Sequence, residues 1–69
     1  MSNEIFLKQL GEKIRAARKK AGLTQDKVSS AMPMSWGKYS FIENGRVSSR
    51  ITTLRRIAEV IGIDIKELL

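Results

Sequence analysis

The sequence contains no cysteine and no histidine, a single proline, and only 6% aromatic residues. Without thiol or imidazole groups, disulfides, Ser-His or Cys-His catalysis and the usual zinc sites are excluded. No apolar run approaches the roughly 18 to 20 residues of a membrane span, and no secretory signal opens the chain. We therefore predict a cytoplasmic protein that is not an enzyme and uses no cofactor, metal or small-molecule substrate.

What the chain has in excess is positive charge. Thirteen Lys and Arg against seven Asp and Glu give a net charge of +6 in 69 residues, of which 42% are hydrophobic. This composition is typical of a folded unit, and its charge favours a polyanionic partner, either nucleic acid or an anionic membrane. The length allows one small domain, residues 1–69, that buries about 60% of the surface its unfolded chain exposes.

Apolar residues recur at steps of three and four along most of the chain, which indicates helices and no strands. Gly11 falls inside the first predicted helix, where it indicates either a close approach of two backbones or a separable first segment. Pro33 cannot continue a helix, so a tight turn is expected at residues 32–34. The boundary signals predict five helices: Ile5–Ala21, Gln25–Ala31, Trp36–Asn44, Ile51–Ile61 and a short last helix capped by Asp64 and Glu67.

Residues 23–43 thus predict two short helices joined by a turn of about three residues, the arrangement of a helix-turn-helix. The chain resembles the phage-repressor or Xre type of helix-turn-helix protein over nearly its whole length. The most specific signals are the helix start Leu23-Thr24-Gln25 and the helix stop Ile42-Glu43-Asn44-Gly45 at the right separation. Further matching runs are Leu10–Arg15, Arg18–Gly22, Leu54–Ala58, Gly62–Asp64 and Glu67–Leu69.

The resemblance implies an all-α, five-helix repressor-like bundle that binds double-stranded DNA. It further implies a transcriptional regulator, a repressor, acting as a homodimer on pseudo-palindromic operators. A two-fold dimer would set its paired recognition helices about 34–36 Å apart.

The resemblance implies that Gln25 binds a DNA phosphate and supports helix 3, the recognition helix. Lys38 could donate to guanine O6 or N7, whereas Trp36 and Phe41 could make only apolar contact with thymine methyls or sugar. The alternatives are that Gln25 merely faces solvent and that both aromatics pack against the protein itself or against a partner chain. The predicted DNA-binding residues are Thr24, Gln25, Ser35, Trp36, Gly37, Lys38, Ser40, Phe41, Asn44, Arg46 and Arg50.

Two further sets of residues have structural roles in the resemblance. Arg18 and Glu43 match positions that in relatives form a salt bridge between helix 1 and the end of the recognition helix; the alternative is an exposed, unpaired arrangement. The apolar residues near the C-terminal end either close the core or form the dimer interface: Ile63, Ile65, Leu68 and Leu69. Four cations of helix 1 are expected to be solvated: Lys13, Arg15, Lys19 and Lys20.

The chain departs from the family pattern at several positions. Pro33 stands where the turn usually has glycine, and since proline fixes φ near −65°, an altered angle between the two motif helices is expected. Ser29 stands where alanine is common, and Tyr39 where an aliphatic residue is usual. Gly37 lowers the intrinsic stability of the recognition helix.

The sequence is also compatible with two other functions. The first is an antitoxin or adaptor domain that uses Trp36, Tyr39 and Phe41 to bind another protein. The second is binding to nucleic acid or a membrane surface by charge alone. No strongly basic amphipathic face lies opposite Trp or Phe residues, so membrane binding ranks last.

Overall fold

The structure, a computed structural model, describes residues 3–69. It contains, in order, α1 Asn3–Lys20, α2 Gln25–Ala31, α3 Trp36–Glu43, α4 Ile51–Ile61 and a C-terminal 3₁₀ turn, Ile65–Glu67. No strand occurs among residues 3–69, which confirms the all-helical prediction. No helix in this part of the chain combines the length and the apolar character needed to cross a membrane.

The predicted fifth helix is only this three-residue turn. Asp64 accepts a hydrogen bond from the backbone N–H of Lys66 at 2.9 Å, and its own N–H donates to Glu67 Oε2 at 3.3 Å. The capping arrangement expected from the sequence is therefore present. It caps a 3₁₀ turn rather than an α-helix.

One hydrophobic core joins all the elements. Tyr39, Ile14, Ile57 and Val28 have no exposed surface, so α1, α2, α3 and α4 each bury at least one side chain completely. The other buried apolar residues are Leu10, Met32, Ile42, Leu54, Ala58, Ile61 and Leu68. Leu68 is only 2% exposed, because the 3₁₀ turn folds its side chain back into the core.

The Gly11 alternatives are decided by the contact between α1 and α3. A Cβ at Gly11 would lie 2.8 Å from the carbonyl carbon of Glu43 and 2.9 Å from the carbonyl oxygen of Ile42. Real Cβ atoms essentially never come this close to another atom. The glycine therefore permits two backbones to touch, and α1 is one continuous helix rather than a helix with a separable first segment.

The turn between α2 and α3 contradicts the expectation for Pro33. Its φ is +22°, far from the −65° that the proline ring favours. The backbone N–H of Met34 donates to the Ser29 carbonyl at 3.1 Å, and the Met32 side chain is 8% exposed. The hydrogen bond and the core contact thus hold Pro33 in a left-handed conformation like the one expected of glycine, at the expense of local strain.

Ser29 fits its buried position because α2 satisfies its hydroxyl. The residue is 2% exposed, and its Oγ donates to the Asp26 carbonyl at 3.1 Å. A small hydroxyl that bonds within its own helix can replace alanine without leaving an unpaired polar group.

Candidate nucleic-acid interface

The two motif helices begin with side-chain caps. Thr24 Oγ1 accepts from the backbone N–H of Lys27 at 3.1 Å, and Ser35 Oγ accepts from the backbone N–H of Lys38 at 3.2 Å. Each hydroxyl satisfies one N–H of the first turn, which is why α2 and α3 start at these positions. Both caps are solvent-exposed, and a hydroxyl that accepts in a cap still has a proton to donate.

A buried ion pair fixes α3 relative to α1. Arg18 Nε lies 2.7 Å from Glu43 Oε2, and Arg18 Nη2 donates to Glu43 Oε1 at 3.1 Å. The two side chains are 8% and 0% exposed. A third Arg18 nitrogen, Nη1, donates to the carbonyl of Leu23 at 2.8 Å. The guanidinium thereby ties the end of the recognition helix to the segment that starts α2.

Gln25 joins the same cluster. Its Nε2 donates to Glu43 Oε1 at 3.0 Å, and the residue is half-buried at the start of α2. The amide therefore lies against α3 rather than pointing freely into solvent. Its carbonyl oxygen cannot bind a phosphate, so a phosphate contact requires the second Nε2 hydrogen or the nearby backbone N–H groups.

The ionisation of this cluster follows from its geometry. Burial raises the pKa of the Glu43 carboxyl. Its interactions with Arg18, the Tyr39 phenol and Gln25 outweigh burial and hold that pKa below its usual value. The hydrogen bond to Glu43 raises the pKa of Arg18. Both groups are therefore charged at neutral pH.

Tyr39 lies beside this cluster in the core. It is 0% exposed, and its phenolic oxygen lies close enough to the Glu43 carboxylate to interact with it, without a hydrogen bond of standard geometry within the described residues. Burial, with the neighbouring Glu43 carboxylate, raises the pKa of the Tyr39 phenol well above its usual value. The ring lies in the core and is not available to a protein partner, contrary to the role it has in the adaptor alternative.

The outward face of α3 carries the two aromatics together with lysine. Trp36 is 57% and Phe41 49% exposed, and Lys38 is exposed as well. Ser40 is half-buried, and its Oγ accepts a long 3.5 Å hydrogen bond from Asn44 Nδ2. The alternative that the aromatics pack into their own chain is therefore wrong.

A polar cleft lies between α3 and the loop that leads to α4. Lys38 and Arg50 line it together, which brings two predicted DNA-binding cations onto one surface. Arg46 is exposed on the preceding turn, where its backbone N–H donates to the Phe41 carbonyl at 2.9 Å. Three hydroxyl residues that the sequence reasoning missed line the same cleft: Ser48, Ser49 and Thr53. The Ser-Ser pair just before α4 was the available signal.

The residues predicted to form a dimer interface differ in how deeply the structure buries them. Leu68 belongs to the core of the single chain, so its assignment to an interface is wrong. Ile63 and Ile65 are half-buried, and Leu69 is 59% exposed. Ile51, which the prediction omitted, is 56% exposed and lines a shallow cleft with Ile63 and Ile65.

Comparisons with known proteins agree with this architecture. The helix-turn-helix domain family matches residues 9–69. The ImmF control region 10 kDa protein of Bacillus phage phi105 is 41% identical over 61 residues, which are 88% of this chain and 68% of that protein. The crystal structure of the restriction-modification controller protein C.AhdI from Aeromonas hydrophila superposes with a TM-score of 0.86. It is 21% identical, with 91% of this chain and 96% of that chain covered.

Both proteins are named for control functions, in agreement with the prediction that the chain is not an enzyme. The family match spans the capped helices, the turn between them and the Arg18–Glu43 pair that holds them. The chain therefore belongs to the helix-turn-helix domain family and is a DNA-binding transcription regulator.

Proposed function

We propose that this chain is a sequence-specific transcriptional repressor that binds pseudo-palindromic operator DNA as a homodimer. The observation that carries the proposal is the exposed face of α3, where Lys38 shares a cleft with Arg50. On the buried side of the helix, the Arg18–Glu43 pair holds α3 in place. A rigid helix with cations beside it suits a major groove lined by phosphates.

The proposed contacts divide by chemistry. Thr24, Gln25, Ser35, Asn44, Arg46 and Arg50 have polar groups near helix starts and turns, which suit phosphate oxygens and position the protein without reading sequence. Trp36, Gly37, Lys38, Ser40 and Phe41 lie on α3 itself and would face base edges.

Selection from a randomised duplex pool at near-physiological salt tests the function directly. We expect the bound fraction to contain an inverted repeat with half-sites about one helical turn apart. Binding without enrichment would leave a charge-driven binder. If no duplex is retained, the proposal is wrong and the exposed aromatics of α3 bind a protein instead.

Single substitutions then separate the two kinds of contact. Lys38→Ala is expected to reduce the preference for the selected site over random duplex by about 1–3 kcal/mol, whereas Arg46→Ala should weaken both alike. Lys19→Ala is the matched control, because it removes the same charge from an exposed position of α1 that lies outside the proposed contacts. Equal losses on both duplexes for Lys38→Ala would remove its base-reading role.

The dimer is proposed on the apolar surface around the start of α4 and the C-terminal turn. Ile51 and Leu69 expose more than half of their surface, and Ile63 and Ile65 adjoin Ile51. Ile51→Asp is expected to favour the monomer in sedimentation equilibrium without unfolding the chain, since the position is exposed. Val47→Asp, at an exposed apolar residue of the loop before α4, should leave the association unchanged.

We propose repression because a dimer bound over a promoter blocks transcription simply by occupying it. Repression therefore needs no contact surface beyond the DNA-binding and dimer surfaces described above. A reporter gene whose promoter overlaps the selected site should lose expression when the protein is supplied, and Arg46→Ala should restore expression. Increased expression would show activation instead.

A further inference from the structure

Gly37 occupies an unexpected position in α3. It is the second residue of a helix only eight residues long, and glycine favours a helix less than alanine does. Nothing in the fold requires it, because Gly37 is not among the glycines with positive φ. A Cβ built on it would meet no atom within 4 Å.

Gly11, the other glycine within a helix, lacks a side chain for a structural reason. A Cβ at Gly11 would collide with the backbone of Glu43, so that glycine is required by the packing of α1 on α3. At Gly37 the corresponding space is empty. The packing of the chain therefore does not account for the missing side chain, and the gap leaves room for a partner to approach the α3 backbone closely.

The surroundings of Gly37 indicate the chemistry of that partner. Phe41 lies one turn further along α3 on the same face, and Trp36 is the adjacent residue. Both are about half exposed, so an apolar surface flanks the gap. The hydrogen-bonding side chains of this face are Lys38 and Ser40, and Ser40 already accepts from Asn44.

Charge identifies the class of partner. The chain carries +6, and Lys38 and Arg50 lie beside the apolar surface. A partner that presents both phosphates and apolar groups fits this pattern. In duplex DNA the apolar group of the major groove is the C5-methyl of thymine.

We propose that Trp36, Gly37 and Phe41 read thymine methyl groups, with Gly37 permitting the α3 backbone to approach the base edges. The inference rests on the proposed function and adds the chemistry of its specificity: operator positions facing α3 are distinguished by methyl contact more than by hydrogen bonding. Lys38 supplies the polar contact beside them.

Replacing thymine by deoxyuracil, one operator position at a time, removes the methyl group and leaves the hydrogen-bonding edge intact. At one or more positions in each half-site we expect affinity to fall about three- to fivefold, the effect of exposing one buried methyl. In Trp36→Ala or Phe41→Ala the same replacement should have no effect at the position that residue contacts. Both side chains are exposed, so these variants should fold.

Gly37→Ala provides a second, independent measurement. It should raise the free energy of unfolding, because alanine favours the helix and meets no atom, and it should weaken operator binding tenfold or more. Gln9→Ala is the control, an uncharged exchange at an exposed position of α1 that should leave binding unchanged.

The outcomes separate the inference from the proposed function. If no operator is enriched, the function itself is wrong. If an operator is enriched but every deoxyuracil replacement is neutral, DNA is bound and methyl reading is overturned. Unchanged operator binding by Gly37→Ala would overturn the close approach of the backbone.

Discussion

Two arginine–glutamate pairs in this chain have opposite environments. Arg18 and Glu43 are buried and doubly bonded, whereas Arg55 and Glu59 are 3.9 Å apart with side chains 76% and 67% exposed. Removing one partner of a buried pair leaves an uncompensated charge, so Arg18→Met is expected to lower the free energy of unfolding by about 3–5 kcal/mol. Arg55→Met should change it by less than about 0.5 kcal/mol. Denaturant titration measures the loss in both variants, and equal losses would mean that burial does not strengthen the Arg18–Glu43 pair.

The same cluster gives stability a dependence on pH. Because the folded-state pKa of Glu43 lies below its usual 4.5, its contribution is complete above that value and is lost as pH falls through the folded-state pKa. The free energy of unfolding of the native chain should therefore decrease on acidification from about pH 6 to about pH 3. Glu43→Gln should be less stable near neutral pH, and its deficit should shrink in acid. A deficit independent of pH would mean that the carboxylate charge contributes nothing.

At the scale of elements, the turn between α2 and α3 stores strain at Pro33. A residue held in a sparsely populated backbone region costs about 1–3 kcal/mol, whereas exchanging proline for glycine loosens the unfolded chain by about 0.4–1 kcal/mol. Pro33→Gly is therefore expected to raise the free energy of unfolding by about 1 kcal/mol. Pro33→Ala is the control, since it loosens the unfolded chain but keeps a Cβ at positive φ, and it should gain less. Loss of stability in Pro33→Gly would show that the turn is unstrained.

The elements were predictable to different degrees, for physical reasons. The bounds of α2 and α4 follow from local signals, a Thr24 cap at one start and a glycine stop at Gly62, and the structure has them as predicted. The conformation of Pro33 was not predictable, because contacts with Met32 and Ser29 override the local preference of proline. The role of Leu68 also depended on tertiary packing, since an apolar residue near an end fits a core or an interface equally well.

For the whole molecule, the excess of positive charge predicts how DNA affinity depends on salt. Each phosphate neutralised lowers the slope of log K against log salt by about 0.9. Arg46→Gln is expected to reduce the magnitude of this slope by about 1 per protomer, without changing which site is selected. Arg15→Gln, at an exposed position of α1, should leave the slope unchanged. Identical slopes for Arg46→Gln and the native chain would remove Arg46 from the phosphate contacts.

The aromatic composition also allows the protein to be followed by its own fluorescence and absorbance. The chain has one tryptophan and one tyrosine. Trp36 is 57% exposed on the face proposed to meet DNA, and Tyr39 is fully enclosed in the core. Quenching of tryptophan emission can therefore report occupancy of α3 in real time, while tyrosine absorbance reports the loosening of the core. Association and unfolding can thus be followed separately in one unlabelled sample.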